Sequence, residues 1–493
     1  MARSKDGLMI EGVSLDPASD TPLHRQLYIS LREMILQGIL PGDARMPSSR
    51  SLAESLGVSR FTAVTALDQL VAEGYLRTLH GSGTFVETIS GSQAETIDKN
   101  TRDAPDLVPL IVDEILSRRA KALQWRNSIS TNRRVDYLHM SAPDHRLFPA
   151  KVWAKLTHEV MSNMGAQVAY YRDSDDPSLL EQQIAAQVAV SRGIKCDPEN
   201  VVTTLGAHHA VNLITDLLLD PEDIVAFEEP GMSAVRSIFQ SHGCTVLPMA
   251  VDEFGSNPAS LSPPSPKLAF VTAAKQQPLT IAMPVKRKLE ILNWAKANGT
   301  IIVEDDLGSE FRYEGRPIPP LKAMDRDNQV IYIGAFSMSL LQTLRIGYLI
   351  MPKPLAAKCR RLLQVQFRAM PQISEQILAR FIQDGHYTRH LHKARRTYAK
   401  RQEKLLDILH SKFSDTFDLP SVSSGFYNLC YFKDQSIDEA GVLMRCNDRG
   451  LGVEQLSYYF QHGRASQKAL LIGFASSTEN ELEIGMSLLR ECL

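Results

Sequence analysis

The sequence predicts an α/β protein in two parts: a small N-terminal helix-turn-helix head and a large domain on a doubly wound, mostly parallel sheet. Three observations predict it. Residues 15–88 hold three short helical stretches and then two β-like runs around a glycine-rich tip. Residues 89–134 turn polar and lose most of their periodicity. From 135 to 493, short β-branched runs alternate with helical stretches, as in strands joined by crossover helices. A chain of 493 residues also exceeds one ordinary core, so more than one domain is expected.

Bulk properties narrow the function classes. An apolar share of 44% and a charged share of 22% are ordinary for a globular protein. The net charge of −2 excludes a chain that is basic throughout, so any contact with nucleic acid must come from a local arrangement of cations. Cys196, Cys244, Cys359, Cys430, Cys446 and Cys492 are scattered with no C-x-x-C, which fits reduced thiols better than disulfides or a zinc site. The N-terminus MARSKDGLMIEG has no long apolar segment, and no uninterrupted run of about 18 apolar residues occurs. The expectation is a cytoplasmic protein with no membrane contact.

In the head, Leu23, Leu27, Leu31 and Ile35 recur at steps of four, the stripe of an amphipathic helix within 22–40. Gly38 and Pro41-Gly42 stop it. A second helix starts after Pro47 with Ser48 and Ser49 as caps, buries Leu52 and Leu56, and ends at Gly57. Ser59 caps a third, whose inner face is expected at Val64, Leu67, Leu70 and Val71. Residues 75–86 read as a hairpin around His80-Gly81-Ser82-Gly83. The stretches RMPSSRSLAESLGVSR, LDQLVAEGYL and HGSGTFV resemble the winged helix-turn-helix of GntR-type transcription regulators over 22–86. The resemblance implies double-stranded DNA, a promoter or operator, as partner. By position it assigns DNA contact to Arg50 and Arg60 at two helix starts and to Ser59, Thr62 and Thr65 around the third helix. His80, Gly81, Ser82 and Gly83 form its minor-groove wing. Hydroxyls and helix N-termini suit phosphate, and the start of a recognition helix reaches base edges. Phe61 and Thr65 replace more polar family residues, so the base code does not carry over. The arginines of this module nearly balance its acids, so DNA contact rests on where the cations stand.

Residues 89–134 read as a tether, GSQAETIDKNTRDAPD being polar and aperiodic. Leu110, Val112, Ile115 and Leu116 regain helical spacing and predict a short docking helix with a solvated basic edge at Arg118, Arg119 and Lys121.

The large domain has expected strands at 201–204, 224–227, 245–249, 268–272, 300–304 and 330–333, with a further apolar run at 346–351. Its pivotal stretch is 329–351, QVIYIGAFSMSLLQTLRIGYLIM, which reads as strand, small polar turn, arginine, strand. In an α/β sheet such turns carry ligand-binding residues at the carboxyl ends of strands. This stretch, with LGAHHAVNLITDLLLDPEDIVAFEEPG and VEDDLGSEFRYEGRPIPPL, resembles the fold type I aminotransferase-like domain of MocR-type regulators in the GntR superfamily, over 138–489. The resemblance implies a homodimer, a small C-terminal α/β subdomain, and a site derived from one that holds pyridoxal phosphate (PLP).

Position by position, the resemblance gives Gly206-Ala207-His208 as backbone donors to a phosphate. It gives Asp305 as partner of the pyridine nitrogen and Arg345 as partner of the phosphate. Other positions depart from the family. Met338 stands at the Schiff-base lysine, Leu307 at a tyrosine that bonds the ring oxygen, and Met232 at the tyrosine of D-P-G-Y. Lys275 stands at a histidine ahead of Pro278-Leu279-Thr280; Gln277 and Ser337 lie in the same turns as Lys275 and Met338. Near Tyr171, Asp175-Asp176 and Glu181 replace a glycine turn and an arginine. A thioether has no exchangeable nitrogen, so Met338 can neither form an imine nor shuttle a proton. The set predicts a vestigial cofactor site with no catalytic residue, no covalent PLP and no metal, used instead as an effector pocket. Three other readings stay open: a regulator that binds PLP noncovalently, a PLP-dependent transaminase, and an architectural or partner-binding factor whose large domain only dimerises. Asp305 also reads as a carboxylate held by backbone donors, and Lys275 as a charge for an anionic ligand. His386, His390 and His392 read as exposed helix residues rather than zinc ligands. The chain is thus expected to be a one-chain DNA-binding transcription regulator with a non-enzymatic, ligand-sensing, dimerising domain.

Overall fold

The computed structural model describes residues 10, 12–19, 21–79, 82–88, 115–122, 135–165, 170, 176–313, 315, 318–420, 424–461 and 467–493. The chain forms two compact units, residues 1–110 and 111–493.

In the first unit the apolar stripe produces α1 (Leu23–Leu36), which buries Leu27, Tyr28, Leu31 and Ile35. The helix stops before the end of the stretch 22–40, and Leu40 turns back into the core. Helix α2 (Ser49–Leu56) begins where the Ser48 side chain accepts the Ser51 N–H at 3.1 Å, and it ends at Gly57 in the left-handed region, φ 65°. Helix α3 (Arg60–Ala72) begins where Ser59 Oγ accepts the Thr62 N–H at 3.1 Å. Its inner face is Ala63, Ala66, Leu67 and Leu70, whereas Val64 and Val71 are only half-buried. The two alanines carry the buried face because their small side chains let α3 lie close on α1 and α2. Strands β1 (Leu76–Leu79) and β2 (Gly83–Val86) pair antiparallel from Leu76↔Val86 to Leu79↔Gly83. Each fully buried leucine of this core contributes about 1.5–3 kcal/mol.

The second unit is built on an eight-stranded sheet. Its strands are β3 (Val201–Thr204), β4 (Ile224–Glu229), β5 (Thr245–Asp252), β6 (Gly255–Ser256), β7 (Leu268–Val271), β8 (Ile301–Asp305), β9 (Val330–Ala335) and β10 (Gly347–Ile350). The order is β3-β10-β9-β8-β7-β4-β5-β6, with β10 and β6 antiparallel to their neighbours. The central strands are apolar almost throughout because both faces are covered. One face packs Leu213, Ile214, Phe239 and Phe270; the other packs Tyr332, Phe336 and Tyr348 against the helices Leu179–Arg192, Gln372–Gln383 and His386–Lys412. A smaller antiparallel sheet follows, in the order β11 (Phe417–Asp418), β12 (Tyr427–Phe432), β14 (Ala469–Gly473), β13 (Glu454–Gln455). The helices Glu439–Asp448 and Glu479–Cys492 complete this α/β subdomain.

Two sequence expectations change. Of the docking helix, Arg118–Ala122 is helical, but Ile115 is exposed and Leu110 and Val112 lie outside the described residues. Its contact is polar instead, Arg119 Nη2 meeting His242 Nε2 at 2.6 Å. His390 is buried rather than exposed and donates from Nε2 to the Ser339 carbonyl at 2.7 Å, because its long helix is covered on that side. His386 stacks on Phe381 instead. Tyr171 and Asp175 also fall outside the described residues. Among the described residues no group of histidine, cysteine and acidic side chains could hold a metal, and no helix is long and apolar enough to cross a membrane.

Candidate functional site

Two regions carry the residues singled out by sequence. On the head, Arg50 and Arg60 stand exposed at the first turns of α2 and α3. Among the described residues Arg50 makes only a solvent-exposed pair with Glu54, 3.2 Å away, and such pairs contribute little. Ser59 and Thr62 join their hydroxyls at 2.9 Å while Ser59 caps the helix, so both groups hold the start of α3 in shape. Thr65 returns its hydroxyl to the Phe61 carbonyl at 2.8 Å, and Phe61 itself is 77% exposed. A phenylalanine that bare on a two-turn surface with capped N–H groups marks a contact face rather than a core. Ser82 and Gly83 flank the hairpin tip, and the Arg45 side chain lies against Gly83. His80 and Gly81 lie outside the described residues.

The remaining residues gather along one edge of the large sheet, just beyond the carboxyl ends of its parallel strands. Ala207 and His208 follow β3, Met232 follows β4, Lys275 and Gln277 follow β7, Asp305 and Leu307 close β8, and Ser337 and Met338 follow β9. Arg345 precedes the antiparallel β10 and so returns to the same edge, in a left-handed conformation at φ 52°. Gly347 and Gly206 make its approach possible. A Cβ on Gly347 would lie 2.9 Å from Gly206 Cα, and the Arg345 guanidinium stands beside Gly206 at the start of the helix Ala207–Leu218. A cation and free helix N–H groups there suit an anion.

Asp305 is 4% exposed, and its Oδ1 accepts the Leu307 N–H at 3.0 Å. Burial pushes its carboxyl up to about 7, against the pull of that N–H. Among the described residues Oδ2 has no partner. Met338 is half-buried and packs on the main apolar core of the unit. Met232 packs against the core on the other face of the sheet, together with Ala207. Lys275 reaches toward the small subdomain: Nζ lies 4.4 Å from the centre of the Tyr427 ring and fills the space a side chain at Gly425 would need. Burial lowers its ammonium to about 8. Gln277 N donates to Thr272 Oγ1 at 3.2 Å.

Sequence reasoning missed the groups that hold this edge. Gln276 Nε2 donates to Glu228, to the Pro230 carbonyl at 2.8 Å and to the Gln277 carbonyl at 3.0 Å, fixing the turn that carries Lys275. Glu228 is fully buried, and Ser256, Thr272 and Gln276 all donate to it. Asp306, next to the chosen Asp305, forms a two-pronged ion pair with Arg192 at 2.7 Å. No periodicity announces these; only the polar cluster EDD at a strand end hinted at them.

Comparison with known proteins agrees with this division. Residues 23–86 match the family model "Bacterial regulatory proteins, gntR family", and residues 136–450 match "Aminotransferase class I and II". The chain is 32% identical to the probable rhizopine catabolism regulatory protein MocR of Rhizobium meliloti, over 97% of this chain and 94% of that one. It is 30% identical to the pyridoxine biosynthesis transcriptional regulator PdxR of Corynebacterium glutamicum, over 95% and 96%. In structure, a kynurenine aminotransferase from Pyrococcus horikoshii superposes with a TM-score of 0.69 at 22% identity, over 77% of this chain and 97% of that one, a likeness of fold alone. Covering both units from end to end, these matches place the chain among the MocR-type regulators of the GntR family, DNA-binding transcription regulators that carry an aminotransferase-like domain.

Proposed function

We propose that the large domain of this regulator is a sensor without enzymatic activity. It holds no covalent PLP, binds a small effector at the edge lined by Ala207, His208, Met232, Lys275, Gln277, Asp305, Leu307, Ser337, Met338 and Arg345, and forms the homodimer that carries two heads to an operator in the cytoplasm. The observation that carries this reading is Met338. The turn after β9 offers a thioether seated in apolar packing, and a thioether cannot take the place of an amine. Leu307 and Met232 offer no hydroxyl, and each buried hydrogen bond a ligand fails to make costs about 1–3 kcal/mol. The residues present therefore do not fit covalently held PLP. They fit a smaller ligand with an anionic end at Arg345 and Gly206 and a donor for Asp305 Oδ2. On the head, Arg50, Arg60, Thr62 and Thr65 face the major groove, and the wing at 80–83 enters the minor groove. Effector binding acts by shifting the population of large-domain states that set the heads, with no bond made or broken.

The test is a visible-absorbance and thermal-shift titration with PLP of the wild type beside Met338→Lys. A colourless, unshifted wild type beside a yellow variant supports the reading and shows that the scaffold kept its shape. Colour in the wild type overturns it. A stabilised but colourless wild type keeps the loss of covalent chemistry and makes PLP itself the effector.

A further inference from the structure

A cavity of about 330 Å³ lies in the large unit between the helix Leu179–Arg192, strands β9 and β10, and the helix His386–Lys412. None of Asp305, Leu307, Met338 or Arg345 lines it. Its lining sets the rings of Tyr332, Phe336, Tyr348 and Tyr387 beside polar and charged side chains. Two of the hydroxyls are taken up elsewhere: Tyr332 donates to Asp306 at 2.6 Å and Tyr387 to Ser339 at 3.1 Å. The rings are what a ligand would meet.

Two of the polar side chains in the lining each hold an atom without a hydrogen bond among the described residues. They are Glu310 Oε2 and Arg312 Nε, both buried and, among the described residues, without a hydrogen-bond partner. The other charges are accounted for. Arg192 is neutralised by Asp306 at 2.7 Å, and Arg395 places Nε and Nη2 on the Glu310 carbonyl at 3.0 and 2.8 Å. That clamp fixes the backbone segment from which both unpartnered groups project. Burial lifts the Glu310 carboxyl to about 7; a bond from its own backbone N–H opposes the lift, Asp306 adds to it, and Arg192 and Arg395 oppose it. Folded proteins leave few buried polar atoms unmet, and the cost is highest for charged ones. An acceptor atom and a donor atom on side chains of opposite charge, each without a hydrogen bond among the described residues and both belonging to the lining of one cavity, ask for a ligand that brings the complement of each.

We propose that this cavity is a second ligand site, separate from the cofactor-derived edge, that takes a small apolar amino acid as its zwitterion. The ammonium meets Glu310, the carboxylate meets Arg312, and the side chain lies among the tyrosine and phenylalanine rings. A simple amine leaves Arg312 bare and adds a cation beside three guanidinium groups. A simple acid leaves Glu310 bare.

The experiment is a thermal-shift titration of the full chain with L-leucine and L-phenylalanine, beside phenylpropionate and phenethylamine, which each lack one charge. At ligand about ten times Kd, a zwitterion raises Tm by on the order of 1–3 °C, and the single-charge analogues give less than half of that. Glu310→Gln keeps the size of the side chain and removes its charge, so this variant folds while losing the response; Arg312→Gln loses the response too. Arg345→Ala, altered at the other edge, keeps it. The proposal is overturned if neither amino acid shifts Tm, if an analogue with one charge matches them, or if the shift survives both cavity substitutions. Loss of the shift in Arg345→Ala overturns it as well, by moving the binding to the cofactor-derived edge, and leaves the reading of that edge standing.

Discussion

Lys275 shows most plainly how a single residue departs from what its neighbours in sequence suggest. The family resemblance places it in a turn beside a cofactor ring, and its side chain is folded over Tyr427 with no carboxylate partner among the described residues. Its ammonium, lowered to about 8 by burial, sits below the ordinary lysine value of about 10.4. The unfolded chain therefore binds more protons than the folded one between about pH 8 and 10.4. The lysine destabilises the fold fully below pH 8, and the penalty fades as pH rises through that window. Lys275→Met is expected to stabilise the large unit at pH 7 by on the order of 1–3 kcal/mol, with the gain shrinking by about pH 10. Urea midpoints of both proteins at the two pH values check it; a variant midpoint at or below wild type at pH 7 refutes the sign. What the sequence carries at this scale is residue identity, such as Met338 and Asp305. What it hid was direction. Neither the turn of Lys275 toward Gly425 nor the role of Gln276 in holding the loop has a periodic signature, since both depend on partners more than a hundred and about fifty residues away.

At the scale of elements the sequence was read well where one local cause decides the outcome. Serine caps, the left-handed Gly57 and apolar runs gave α2, α3 and the central strands close to their observed ends. Reading failed where packing decides. The alanine face of α3 was invisible to a search for large apolar residues. The reversal of β10 was legible in principle: the link from Ala335 to Gly347 holds a 3-10 turn and no crossover helix, too little chain for a parallel return. The short β6 has only two residues and no pattern to find. The caps also yield a prediction. Ser59 Oγ satisfies the Thr62 N–H and meets the Thr62 hydroxyl, so Ser59→Ala unties the first turn of the helix that carries Arg60. The cost is about 1 kcal/mol, so amides of that turn should exchange with deuterium roughly fivefold faster in the full chain. The helices of the large unit serve as internal reference, and unchanged exchange at 60–63 would mean that the cap is not what holds the turn.

For the whole molecule the governing fact is charge. A chain with net charge −2 has no long-range attraction for a polyanion, and residues 22–86 carry six arginines against five acids. Several of those arginines are already engaged: Arg32 with Tyr75, Arg77 with Asp43 and Glu87, and Arg25 over the Tyr28 ring. Arg45, Arg50 and Arg60 are left for phosphate, the Arg50–Glu54 pair being exposed and easily given up. Counterion release then gives a slope of log Kobs against log salt of roughly −3 for one head and about −5 for two heads on a homodimer. Arg60→Ala should flatten it by about one per head and relax preference at one base pair. Fluorescence anisotropy on operator DNA between about 50 and 200 mM salt measures both. A slope near −10 would require far more phosphate contacts than the described surface of the head provides, and would move the DNA-binding surface beyond α2, α3 and the wing. A shallow slope with Arg60→Ala unchanged would keep the charge count and displace the recognition role from Arg60 to its exposed neighbour Phe61.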